Sequence, residues 1–131
     1  HEAVATCKNL SLVVPIVHQP NYSMLNRCQE QDLLDLCGDQ GLGVIAFCPL
    51  FQGLLSDKYL DGIPPNCRFS LPLSPLRKNE VNEQNLRVIR ELNNLANARE
   101  QTLAQMSLSW VLRHKGVSSA LMGSNIMNKF D

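Results

Sequence analysis

An α/β fold built on a parallel sheet is what this sequence predicts, and three stretches predict it. They are HQPNYS at residues 18–23, VIAFCPLFQG at 44–53 and MGSN at 122–125. Around each, an apolar, strand-like run empties abruptly into polar and glycine residues. Strands that end this way line one mouth with their C-terminal ends, where α/β barrels and doubly wound sheets hold ligands. Cofactor handling is therefore the expected chemistry.

The elements follow in order. HEAVATCKNL opens the chain with Val4, Cys7 and Leu10 at helical spacing. Residues 12–17 form a β-branched apolar strand, interrupted by Pro15 and ending at His18-Gln19-Pro20, with His18 packing or capping the strand end. Residues 29–40 return to helical period through Leu33, Leu34 and Cys37, and Gly41 and Gly43 supply stop signals. Residues 44–47 are a short, fully apolar strand, as a parallel sheet covered on both faces requires, and Pro49 ends it. Residues 54–60 read as a short helical turn. Residues 61–75 form a Pro- and Ser-rich loop of a length usually reserved for function or mobility. Leu86, Ile89, Leu92 and Leu95 mark an amphipathic helix over 80–99. Thr102-Leu103-Ala104-Gln105 fits a capping box, followed by a helix whose Met106, Trp110 and Val111 face the core. Residues 117–122 make the last strand, and Gly123-Ser124-Asn125 lead into a terminal helix. The order α, β, α, β, loop, α, α, β, α implies right-handed crossovers between parallel strands.

Composition narrows the function classes. The 131 residues suit one domain, 1–131, and 44% hydrophobic with 18% charged residues describes a globular chain. Lys and Arg total 12 against 12 for Asp and Glu, so there is no basic surplus to attract nucleic acid. The longest apolar stretch, residues 42–50, is far shorter than the roughly 20 residues that cross a bilayer. The five cysteines lack C-x-x-C spacing and the three histidines are scattered. We expect no metal site, and reduced thiols in a cytoplasmic setting. His1 lies inside a helical pattern and residues 126–131 resemble the first turn and a half of another, so the chain reads as a segment of a longer protein.

HQPNYSMLNR, VIAFCPLFQGLLSDKYLDGIPPNCR and LAQMSLSWVLRHKGVSSALMGSN closely resemble the aldo-keto reductases. The likeness is greatest to the branch that holds the bacterial glyceraldehyde 3-phosphate reductases and the β-subunits of voltage-gated potassium channels. The resemblance implies a partial (β/α)₈ TIM barrel contributing strands six to eight with their helices. It also implies NADPH (or NADP) as cofactor and an aldehyde or ketone as the small-molecule substrate. By the same resemblance Gln19 would hydrogen-bond the nicotinamide carboxamide, since an amide offers both donor and acceptor, and Phe47 would lie on the nicotinamide face. Cys48, Pro49, Leu50, Phe51 and Gln52 would present backbone groups to the pyrophosphate. Lys58 and Arg68 would neutralise the 2′-phosphate, and Gly123, Ser124 and Asn125 would bind the adenosine end at a helix start.

Some positions depart from the family pattern. Asp57 and Glu100 stand where relatives carry glycine, the latter at a helix C-cap, and Lys129 replaces an adenine-contacting glutamine. The family's catalytic tyrosine, lysine, aspartate and histidine belong to strands that would precede His1, and Tyr22 and Tyr59 match no catalytic tyrosine. No catalytic residue is therefore expected in this chain, which alone should not reduce carbonyls. The alternatives are a fragment of a cofactor-sensing channel-regulatory subunit, or an inactive remnant. A partial barrel with an unpaired sixth-strand edge should also self-associate.

Overall fold

The computed structural model describes residues 2–65, 67 and 80–123. The chain divides into two units, His1–Pro49 with Trp110–Asp131, and Leu50–Ser109.

In the first unit, helix α1 (Glu2–Asn9) precedes strand β1 (Val17–His18), a 3₁₀ turn (Cys28–Glu30), helix α2 (Leu33–Asp39) and strand β2 (Gly43–Phe47). Strand β3 (Val117–Leu121) completes a three-stranded sheet in the order β1-β2-β3, parallel throughout. The register sets His18 beside Val44 and Phe47 beside Leu121. Val44 and Ala46 are fully buried and pack with Tyr22, Leu34, Cys37, Val111 and Val117. Gly43, Ile45 and Phe47 are only half-buried, so β2 covers one face fully and the other partly, rather than both as its apolar run suggests.

Two expectations need correction here. The strand expected over residues 12–17 shrinks to Val17–His18. Pro15 offers no N–H, no strand among the described residues pairs with the far edge of β1, and Val13 and Ile16 stand 94% and 77% exposed. A segment held to the sheet only by the Gly43 N–H at the Ile16 carbonyl (2.9 Å), with its apolar side chains exposed, does not continue the strand. The helix expected over 29–40 is split, because Asp32 leaves the helical region (φ −157°) between the 3₁₀ turn and α2. Its stop signal holds: Gly41 is left-handed (φ +71°), and the Leu42 N–H returns to the Cys37 carbonyl at 2.8 Å. Gly116, in the turn before β3, lies so close to α2 that a Cβ would sit 2.9 Å from the Leu34 carbonyl oxygen.

The second unit begins with 3₁₀ turns at Phe51–Gly53 and Asp57–Tyr59, where one helical turn over 54–60 was expected; Leu54 and Leu55 between them are fully buried. Helix α3 (Glu83–Ala98) is capped by Asn82, whose side chain accepts from the Asn85 N–H. Leu86, Ile89 and Ala96 are buried, but Leu95 is 54% exposed. Ile89 and Ala96 are seven residues, about two turns, apart, whereas Leu95 lies about 100° around the cylinder. At the C-terminus the Ala96 carbonyl accepts from both Arg99 and Gln101, and Glu100 is left-handed at φ +56°. A side chain there costs about 1–2 kcal/mol, which explains why glycine suits the position.

Helix α4 (Leu103–Leu112) starts on the expected capping box. Gln105 N–H donates to Thr102 Oγ1 at 3.2 Å, and Thr102 N–H donates to Gln105 Oε1 at 2.9 Å. Met106 and Val111 are buried as expected, while Trp110 is only partly so. No helix among the described residues is long and apolar enough to cross a membrane.

Candidate functional site

Because the three strands are parallel, their C-terminal ends share one edge of the sheet. Gln19 follows β1 directly, Phe47 ends β2 and Gly123 lies two residues beyond β3. Main-chain bonds extend the sheet past β1. The Phe47 N–H donates to the Pro20 carbonyl at 2.9 Å, the Tyr22 N–H donates to the Phe47 carbonyl at 3.3 Å, and Asn21 forms a parallel bridge to Phe47. Gln19 is exposed, and its amide makes no hydrogen bond to the described residues; Phe47 is half-buried. A Cβ built on Gly123 would meet no atom of the described residues within 4 Å. Asn21 Oδ1 is buried with no hydrogen-bond partner among the described residues, leaving an acceptor open to a water or ligand group.

The segment behind these tips is held by a polar cluster. The Tyr22 hydroxyl donates to Glu30 Oε1 at 2.7 Å. Arg113 donates through Nη1 to the Tyr22 oxygen (2.9 Å) and through Nη2 to the same Glu30 oxygen (2.8 Å). Arg27 takes the other carboxylate oxygen through Nε and Nη2, at 2.9 and 2.7 Å. The Arg113 guanidinium lies 3.6 Å from the Trp110 ring centroid and Arg27 5.2 Å from it, and Tyr22 packs on the same indole at 5.4 Å. Burial opposes ionisation of Glu30, but hydrogen bonds from Arg27, Arg113 and Tyr22 outweigh it and hold the carboxyl at about 2. Burial, reinforced by the bond to Glu30, pushes the Tyr22 phenol up.

Sequence reasoning missed this cluster. Arg27 and Glu30 at i, i+3 were visible, but Arg113 lies 91 residues from Tyr22, and Trp110 reads as plain helix core. The other expected site residues divide three ways. Cys48 and Pro49 follow Phe47 in the first unit, with Cys48 left-handed at φ +53°. Leu50, Phe51, Gln52 and Lys58 belong to the second unit; Phe51 and Gln52 are left-handed (φ +46° and +57°), and Lys58 is exposed with no ion pair among the described residues. Strained non-glycine backbone of this sort concentrates at ligand-binding segments. Arg68, Ser124 and Asn125, like Lys129 and the expected terminal helix, lie outside the described residues.

Comparison with known proteins agrees with the sheet. The model of the aldo/keto reductase family matches residues 1–131. L-glyceraldehyde 3-phosphate reductase from Escherichia coli O157:H7 is 43% identical over 114 residues, covering 84% of this chain and 33% of that protein. A probable voltage-gated potassium channel subunit beta from Oryza sativa subsp. japonica is 34% identical over 131 residues, covering 98% of this chain and 40% of that protein. The chain thus spans a third to two-fifths of the length of these curated relatives. With its full length matched and its three strand tips on one sheet edge, this chain belongs to the aldo/keto reductase family.

Proposed function

We propose that this chain supplies the nicotinamide-holding part of an NADPH-dependent aldo/keto reductase acting on an aldehyde or ketone. The observation that carries this reading is the placement of Gln19, Phe47 and Gly123 on one edge of a single parallel sheet. The chemistry of these residues fits the group. An exposed amide whose donor and acceptor make no bond to the described residues suits a carboxamide, a half-buried aromatic ring suits a flat heterocycle, and a glycine with no described atom within 4 Å of its Cβ position leaves room for approach.

When bound, the cofactor supplies the hydride. The chain's own residues hold and shield it. Gln19 fixes the carboxamide and so the orientation of the ring. Phe47 covers one ring face and excludes water there. The backbone of Cys48, Pro49, Leu50, Phe51 and Gln52 serves the pyrophosphate, Lys58 and Arg68 the 2′-phosphate, and Gly123, Ser124 and Asn125 the adenosine end. None of them is a proton donor. Tyr22 is fully buried and committed to Glu30 and Arg113, and Tyr59 is buried as well. On this reading general acid catalysis, worth roughly 10²–10⁴-fold, is not supplied by these 131 residues, and carbonyl reduction by them alone is not expected. The same reading proposes a cytoplasmic protein, whose cysteines would stay reduced.

The test is titration of the protein with NADPH and NADH, followed by nicotinamide fluorescence. Gln19→Ala should weaken NADPH binding about tenfold, the equivalent of one good hydrogen bond, and Lys58→Ala should narrow the preference for NADPH over NADH. Protein expressed from its own transcript should oxidise NADPH when given an aldehyde. Absence of NADPH binding in that protein overturns the reading. A cofactor-sensing channel subunit is the second reading, favoured by the rice relative's match over nearly the whole chain; NADPH binding with negligible turnover would select it.

A further inference from the structure

The Pro20–Tyr22 backbone is bonded to both main-chain groups of Phe47, through the Phe47 N–H to Pro20 and the Tyr22 N–H to Phe47. Gln19 is therefore tied to Phe47 by a segment one residue away from it, and the stiffness of that segment sets the gap between amide and ring. Its far end is Tyr22, a fully buried side chain whose ring packs in the core and whose hydroxyl is shared by Glu30 and Arg113. Arg113 is in turn stacked on Trp110 and donates to the Trp110 carbonyl at 2.8 Å, while Arg27 closes the second carboxylate oxygen. The Tyr22 oxygen and both Glu30 oxygens each have a partner, so the buried phenol at the centre of this partly exposed cluster is satisfied and held in place.

We propose that Tyr22, Glu30 and Arg113 are positioning residues for the nicotinamide end of the cofactor, setting the distance and tilt between Gln19 and Phe47 through the Pro20–Tyr22 segment. This rests on the reading that Gln19 and Phe47 hold the nicotinamide. None of the three touches the cofactor. They act by denying the tip the freedom to drift, since a small displacement of a binding group costs affinity out of proportion to its size.

Two probes separate positioning from general support: NADPH, and 2′,5′-ADP, which carries the adenosine and 2′-phosphate but no nicotinamide. In protein expressed from its own transcript, Tyr22→Phe and Glu30→Gln should each weaken NADPH about tenfold and leave 2′,5′-ADP unchanged. Arg113→Lys keeps the charge, loses the two-pronged donation and replaces either variant that does not fold. Equal losses for the two probes, or none for NADPH, overturn the proposal, because a merely structural role moves both or neither. Gln19→Ala is the control for the parent reading. If it loses NADPH selectively while the positioning variants do not, only this proposal falls; if it loses nothing, both fall.

Discussion

The two flanks of β1 are built from equally ordinary residues and end in opposite states. After the strand, residues 20–30 are bonded to β2 and to Arg113, just past α4, and Tyr22 is sealed in the core. Before it, Leu12, Val13 and Ile16 are apolar yet exposed, with Val13 almost bare. Hydrophobicity favours the earlier flank; burial follows the later one. The difference is that backbone and polar partners reach the later flank from both main-chain groups of Phe47 and from Arg113, whereas among the described residues the sheet gives the earlier one a single bond, from the Gly43 N–H to the Ile16 carbonyl at 2.9 Å. A strand is made by its neighbours as much as by its own sequence.

The largest test of that contrast is to hollow out each flank. Tyr22→Ala should cost about 3–5 kcal/mol of unfolding free energy in a denaturant melt, as loss of a fully buried aromatic side chain does. Ile16→Ala should stay within about 0.5 kcal/mol. Similar losses at both positions would erase the distinction.

Acid provides the next test. Glu30 is held at about 2, below its ordinary 4.5, so its contribution is complete above that ordinary value and fades as pH falls through about 2. The side chain is 20% exposed, and after solvent screening we expect about 1–2 kcal/mol to be lost across that window. Glu30→Gln should lower stability at neutral pH and flatten this part of the pH–stability curve. A curve as steep as the parent's would remove Glu30 as the cause.

Arg27→Ala should do less, about 0.5–1 kcal/mol, because that guanidinium is 58% exposed and Arg113 still holds the carboxylate. Smallest in unfolding free energy is Val13→Lys on the bare flank, within about 0.5 kcal/mol. Its effect should appear in light scattering instead, as reduced self-association through an exposed apolar edge. If Val13→Lys melts the protein, the earlier flank is supporting the fold after all.

What could be read from the sequence was what its neighbours along the chain decide. The Thr102–Gln105 capping box, the amphipathic helix expected over 80–99 that forms as α3 (Glu83–Ala98) and the left-handed stop at Gly41 are contests among residues a few positions apart, whereas the strained C-cap at Glu100 is implied by the family resemblance. The three strand tips were legible for the same reason: an apolar run and its polar end are local, and parallel pairing then puts Gln19, Phe47 and Gly123 on one edge. Tertiary structure alone decided the length of β1, the exposure of Leu95 and the partners of Tyr22. Each depends on which groups arrive from far along the chain, and a buried hydroxyl or a sheet edge takes its energy from those arrivals. Arg113 completes the cluster across 83 residues from Glu30, a separation over which no local pattern carries information.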